Sequence, residues 1–348
     1  VESTGEQQRE VRLLDLERIT DRELLELRLS DLPVGIQGTR LEQRLNRLYC
    51  ELDARALHFR PHVWLSEEWF TPDGVGGFAI PFYLTHSRLI RLERSQMLEV
   101  EGAGEGECMR ILRHEAGHAI NNAFRLHTRR SWTETFGSYR VPYPDWYQPK
   151  PNSQEYVLNL DAWYAQAHPA EDFAETFAVW LKSGRWRRHY EGWPALRKLQ
   201  YVDQVMGELT HSARPIVMQK REIDPLRRLT KTLGEHYQRK RAYYAIDWPA
   251  GYDSNLYRIF SRDPRHRSYP TAAKFLRRVC NEVCRVVALG TGIHHFTINY
   301  IMKEMIDRCR ELDLRVAIPE GQAKRLVIVA LTMQTMQVLQ TGYHRIPL

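Results

Sequence analysis

Several things are scarce in this chain, and each scarcity excludes a class. No run approaches the roughly 18 consecutive apolar residues that a membrane-spanning helix needs, so no membrane span is expected. Cysteine is sparse: there are five, an odd number, and none stand in a C-x-x-C spacing. That argues against a disulfide framework and for a reducing, cytoplasmic compartment. The opening residues Val1-Glu2-Ser3-Thr4-Gly5-Glu6 are polar, unlike the apolar stretch of a secretory signal. Signatures of helix-turn-helix, zinc-finger and RNA-binding modules are missing, so nucleic acid is not an expected partner.

What is present is ordinary globular material. The chain has 348 residues, 43% hydrophobic and 27% charged, enough for one large domain or two smaller ones. The net charge of +7 is uneven, because residues 216–348 hold 23 Lys and Arg against 12 Asp and Glu. Such a basic half can attract acidic partners, or can simply be a solvated surface.

The chain is organised around His114-Glu115-Ala116-Gly117-His118, an H-E-x-x-H motif in a stretch that reads as a helix over 107–127. Residues four apart share a helix face, so both imidazoles can aim at one point. Two of the three protein ligands of a tetrahedral Zn²⁺ would thus be supplied, with Glu115 beside them to take a proton from a metal-bound water. The third ligand must come from farther along. An extension of the first motif to H-E-x-x-H-x-x-G-x-x-H is ruled out, because Asn121 and Phe124 occupy the Gly and His positions. Residues 169–181 read as a helix opened by Pro169, with Glu171 and Glu175 one turn apart. One carboxylate could complete a His₂Glu site while the other holds the N–H of a ligating histidine. His127 and His168 are the remaining candidate ligands. Cys280, Cys284 and Cys309 could form a second metal site, although such cysteines are more often small core residues.

Coarse patterning surrounds these motifs. Thr20 and Glu23 form a capping-box pattern, and Leu41, Leu45, Leu48 and Leu52 predict a helix over 39–56. Residues 56–65, 78–84 and 88–93 read as three short strands, with Pro81 suggesting an edge strand that could pair with an extended peptide. Residues 128–153, rich in aromatics and prolines, read as a long loop walling a cleft. Four helices are expected beyond 216, over 226–245, 271–289, 296–312 and 321–339. The expected fold is therefore α+β and mainly helical. A helical segment (1–57) precedes a zincin-like catalytic lobe with a small mixed sheet (58–215), and an all-α region (216–348) follows.

The segments Pro81-Phe82-Tyr83-Leu84, Leu112-Arg113-His114-Glu115-Ala116-Gly117-His118 and His168-Pro169-Ala170-Glu171-Asp172-Phe173-Ala174-Glu175 resemble a bacterial family known as "putative zinc-binding metallopeptidases". The second motif, with Tyr164 seven residues before Glu171, is similar to that of lethal-factor-type and Mlc-titration-factor-type gluzincin peptidases, except that Asp172 replaces a common Phe. The resemblance implies that His114, His118 and Glu171 bind Zn²⁺ and that Glu115 is the general base. It further implies that Tyr164 stabilises the oxyanion and that Glu175 supports a ligating histidine. Tyr139 and Tyr156 are alternatives for the Tyr164 role. A peptide or protein would be the substrate. The competing reading is an inactive or structural zinc protein that binds an acidic partner through its basic C-terminal half.

Overall fold

The computed structural model describes residues 15–97, 100–144, 153–212, 220–244 and 253–340, with single positions 147, 150 and 215 between them. The first 14 residues, Trp146, Pro149, Pro151 and the expected helix end at Ala245 lie outside the described residues. In chain order the elements begin with α1 (Asp21–Glu26), α2 (Arg40–Asp53), β1 (His62–Ser66), β2 (Gly77–Pro81), α3 (Ser87–Met97) and α4 (Glu105–Ala123). There follow α5 (Arg130–Phe136), α6 (Pro169–Lys182), α7 (Trp186–His189), α8 (Leu196–Ser212) and α9 (Leu233–Tyr244). The last four are α10 (Asp253–Ile259), α11 (Ala272–Thr291), α12 (His295–Glu311) and α13 (Glu320–Gln340). The molecule is mainly helical, as the patterning predicts.

Local chemistry explains the element ends. Thr20 and Glu23 form a reciprocal capping box at α1. Thr232 and Glu235 do the same at α9, exchanging bonds of 2.9 and 3.1 Å, so the expected single helix over 226–245 begins only after a short 3₁₀ turn at Leu226–Arg228. α6 starts at Pro169 with Glu171 and Asp172 in its first turn, where acidic groups complement the helix dipole.

The sheet departs from expectation. Among the described residues it has two strands, β1 and β2, paired in parallel with Val63 opposite Phe78 and Leu65 opposite Ile80. Residues 88–93 are not a third strand but part of α3. The buried positions of α3, Leu89, Leu92, Glu93 and Met97, follow a helical period that a window of six residues cannot separate from alternation. β2 is an edge strand, as Pro81 suggests, and an isolated bridge touches its outer side, where the Ala79 N–H donates to Phe70 O at 2.8 Å. The expected loop over 128–153 contains α5, whose Trp132 and Phe136 pack on Phe173 with ring centroids 6.0 and 5.4 Å away.

Buried apolar side chains gather in two main clusters. The larger draws on residues from Leu16 to Tyr237 together with Phe296, and encloses α4 and α6. The second runs from Leu256 to Leu331 and forms the interior of the α10–α13 bundle.

Candidate metal centre

The site is built where α4 and α6 cross. Gly117 lies on α4 between His114 and His118, and Ala174 lies on α6 between Glu171 and Glu175. A Cβ on Gly117 would stand 2.9 Å from Ala174 Cα and 3.2 Å from Phe177 Cβ. Only glycine therefore lets the two backbones approach this closely, and the approach brings the four flanking side chains together. α4 is anchored on its far side by Arg113, buried and forked onto Glu51 with bonds of 2.7 and 2.8 Å to α2.

Three donor atoms meet there. His114 Nε2 lies 3.0 Å from His118 Nε2 and 3.0 Å from Glu171 Oε2, and His118 Nε2 lies 3.2 Å from Glu171 Oε2. A tetrahedral ion with bonds of about 2.0–2.1 Å separates its ligand atoms by about 3.3 Å. The triangle formed by the three atoms is close to one face of such a tetrahedron. Among the described residues, His114, His118 and Glu171 are the group able to hold a metal ion.

The tautomer of His114 is set from behind. Its Nδ1 is 2.8 Å from Glu175 Oε1, and a carboxylate can only accept, so Nδ1 carries a proton and Nε2 is the nitrogen turned to the triangle. Glu175 is fully buried and also accepts from Asn159 Nδ2 and the Leu160 N–H, each at 2.8 Å. Burial works against a charge on His114, but Glu171 and Glu175 outweigh it and hold its pKa well above the ordinary imidazole range. For Glu171, burial pushes upward, yet His118 and His114 outweigh it and hold the carboxyl well below its usual range. Positive charge is thus favoured among these groups.

The donors open into a cavity of about 170 Å³ lined by Trp69, Phe70, Thr71, Asp73, Glu115, Asn122, Tyr139, Tyr143 and Tyr164 as well as the three ligand candidates. Glu115 is buried in its wall, and the Thr71 hydroxyl donates to Oε2 at 2.7 Å. Asn122, one turn beyond His118, ties the turn at 71–76 to α4 by donating to Pro72 O and Val75 O at 3.0 and 3.1 Å. Opposite, Tyr139 donates to Asp73 at 2.7 Å and Tyr143 donates to Glu171 Oε1 at 2.8 Å. The Tyr164 ring centroid is 5.5 Å from that of His114. Burial, then the carboxylates of Glu171 and Glu115, push the Tyr164 phenol pKa well above its usual value, so the hydroxyl keeps its proton.

The other candidates stand apart. His168 caps α6: its Nδ1 accepts the Ala170 N–H at 3.0 Å, so its Nε2–H donates to Val141 O at 2.8 Å, and neither nitrogen is left to ligate. His127 stacks on Tyr139 with centroids 4.2 Å apart. Tyr156 lies under Lys198, whose Nζ is 4.0 Å from its ring centre. Cys280 and Cys284 have their Sγ atoms 3.8 Å apart, and with Cys309 they sit against or within the second apolar cluster. Sequence reasoning did not single out Thr71, Asn159, Tyr143 or Gly117. Only Gly117 carried a local signal, a glycine inside a helical pattern.

No curated protein and no solved structure shows significant similarity to the chain. A family model described as "Putative zinc-binding metallo-peptidase" matches residues 107–184, the segment that runs from α4 through α6 and holds every member of the donor cluster together with Glu115, Tyr164 and Glu175.

Proposed function

We propose that the protein is a zinc-dependent peptidase of gluzincin type, with His114, His118 and Glu171 as metal ligands. The observation that carries this reading is the convergence of those three donor atoms at the wall of a cavity that also holds Glu115. Bound there, zinc supplies a Lewis acid that polarises a carbonyl and makes water nucleophilic near neutral pH.

The chain's own residues supply the rest. Glu115 takes the proton of the attacking water and delivers it to the leaving amine. Thr71 pins one oxygen of that carboxylate, which lines the cavity. Tyr164, kept protonated, donates to the oxyanion, a contribution of about 10²–10³ in rate for one such donor. Glu175 holds the His114 ring in its ligating tautomer, anchored by Asn159 and Leu160. The catalytic residues are assigned to a lobe over 58–215, preceded by a helical segment and followed by a helical region over 216–348, of which Leu226, Leu233 and Tyr237 share the lobe's apolar core. The five cysteines are free, which suits a reducing, cytoplasmic setting. None of the described helices is long and apolar enough to cross a membrane.

The test is bound metal together with hydrolysis of a mixed peptide library, for the wild type and Glu115→Gln. About one zinc per chain in both, with cleavage by the wild type alone, is expected. Zinc in both without cleavage by either would favour the partner-binding reading. No zinc in either would remove the proposal.

A further inference from the structure

The α10–α13 bundle touches the catalytic region at a corner that the mechanism above does not use. Gly292, the residue that ends α11, has φ 71°, and its N–H donates to Ala288 O at 2.9 Å. A left-handed residue at this place is the common way to end a helix, and glycine adopts it without penalty. A second constraint acts on the same atom. A Cβ at Gly292 would lie 2.5 Å from Trp163 Cζ3 and 3.1 Å from Cε3, so the six-membered ring of the indole rests on the bare Cα. Four residues on, Phe296 of α12 is buried in the larger cluster that encloses α4 and α6. The α11–α12 corner is thus seated on the catalytic region at two points.

Trp163 is itself unusual. Its φ is 53°, in the left-handed region that bulky side chains rarely enter. Such a conformation persists where the surroundings over-determine it, and it is concentrated at functional sites. The residue after it is Tyr164. The segment carrying both is held on one side by Asn159 and Leu160, which donate to the carboxylate that orients His114. On the other side, the Ala167 N–H closes onto Tyr164 O at 3.0 Å. Between these anchors, the Trp163 ring lies against Gly292 of the bundle.

We infer that Gly292 and Trp163 are positioning residues: the C-terminal bundle holds Trp163 in its left-handed conformation and thereby sets the place of the Tyr164 hydroxyl over the metal site. The bundle is then a working part of the catalytic unit. The inference rests on the peptidase reading for its kinetic consequence and on geometry alone for its structural one.

The experiment is Gly292→Ala in the full chain, read three ways. Metal content is unchanged, because none of the ligand candidates touches the corner. The phenolic carbon of Tyr164, observed by ¹³C NMR in tyrosine-labelled protein and assigned with Tyr164→Phe, shifts. Against a peptide that the wild type cleaves, kcat falls about 10- to 100-fold, the scale of a small misplacement of a reacting group. KM changes little, and the same substitution in a Tyr164→Phe background gives no further loss. An unmoved Tyr164 resonance, or an equal loss in the Tyr164→Phe background, overturns the inference. If Gly292→Ala does not fold, Trp163→Phe, which shortens the ring and leaves a gap over Gly292, is read by the same resonance and the same background. A wild type that binds metal and cleaves nothing defeats the peptidase reading, and the NMR arm still decides the positioning role.

Discussion

Glu175→Gln is the substitution that most directly separates a metal site from a fortuitous cluster. Glu175 is fully buried and receives three hydrogen bonds, two at Oε1 from His114 and Asn159 and one at Oε2 from the Leu160 N–H. Glutamine keeps the shape but has one acceptor oxygen. Two of the three donors lie on the Oε1 side, so the amide oxygen turns there, and its NH₂ then confronts the Leu160 N–H. One bond is replaced by a donor facing a donor, a cost of about 1–3 kcal/mol to the fold. The bond to His114 survives but loses its charge assistance, roughly half its strength. A less polarised imidazole is a weaker ligand, and loss of such a supporting partner costs about 10- to 100-fold in metal affinity. That is about 1.4–2.7 kcal/mol. Zinc affinity by competition with a chromophoric chelator measures the second effect, and denaturant unfolding of the chelated protein measures the first. An affinity within twofold of wild type, in a protein that has lost stability, would refute the argument that Glu175 acts through the ligand.

Other outcomes follow from the same geometry. Gly117→Ala gains about 1 kcal/mol of helix propensity. Its new methyl nevertheless meets Ala174 Cα at 2.9 Å. Backbone there cannot yield without moving α6, so overpacking wins, with a net loss of about 1–2 kcal/mol in denaturant unfolding and a weaker metal site. Tyr143→Phe removes the hydrogen bond to Glu171 Oε1, and a loss of about 1 kcal/mol weakens zinc binding about fivefold in the same competition assay. Glu67 accepts from Lys231 at 2.6 Å and His236 at 2.7 Å. Burial raises its pKa, but His236 and Lys231 outweigh burial and hold it below the ordinary 4.5. Its folded value lies below its unfolded one, so the stability it contributes is present above about pH 4.5 and is lost as pH falls through the folded value. Glu67→Gln should lower the denaturation midpoint at pH 7 and match wild type in strong acid.

Much of the local architecture is legible in the sequence alone. The capping box at Thr20, Pro169 at the head of α6, and the apolar stripe Leu41, Leu45, Leu48 and Leu52 are short-range signals, readable within one or two turns. The pairing of His114 with His118 is of the same kind, because four residues of helix fix their relation whatever surrounds them. Reading failed where the window was short or the neighbours were distant. Residues 88–93 were too few to distinguish a helix from a strand. The bridge from Phe70 to Ala79 on the outer side of β2 is likewise a contact that pairing rules along one strand cannot reveal.

By itself, then, the sequence determined the helical character of the chain, the helix that carries the two histidines and Glu115, and the start of the helix that carries the two glutamates. The rest depended on packing. Glu171 stands 53 positions beyond His118, and nothing local chooses between it, His127 and His168 as the third donor. That choice was made by the crossing of Gly117 over Ala174, which gathers His114, His118 and Glu171, while His168 spends both nitrogens on a cap and a carbonyl and His127 is seated against Tyr139 outside the donor group. The left-handed backbone of Trp163 and its seat on Gly292 are likewise tertiary, since no sequence period encodes a strained residue held by a partner more than a hundred positions away. Periodicity reports which face of an element is apolar, whereas convergence of donors is set by how closely two faces can approach.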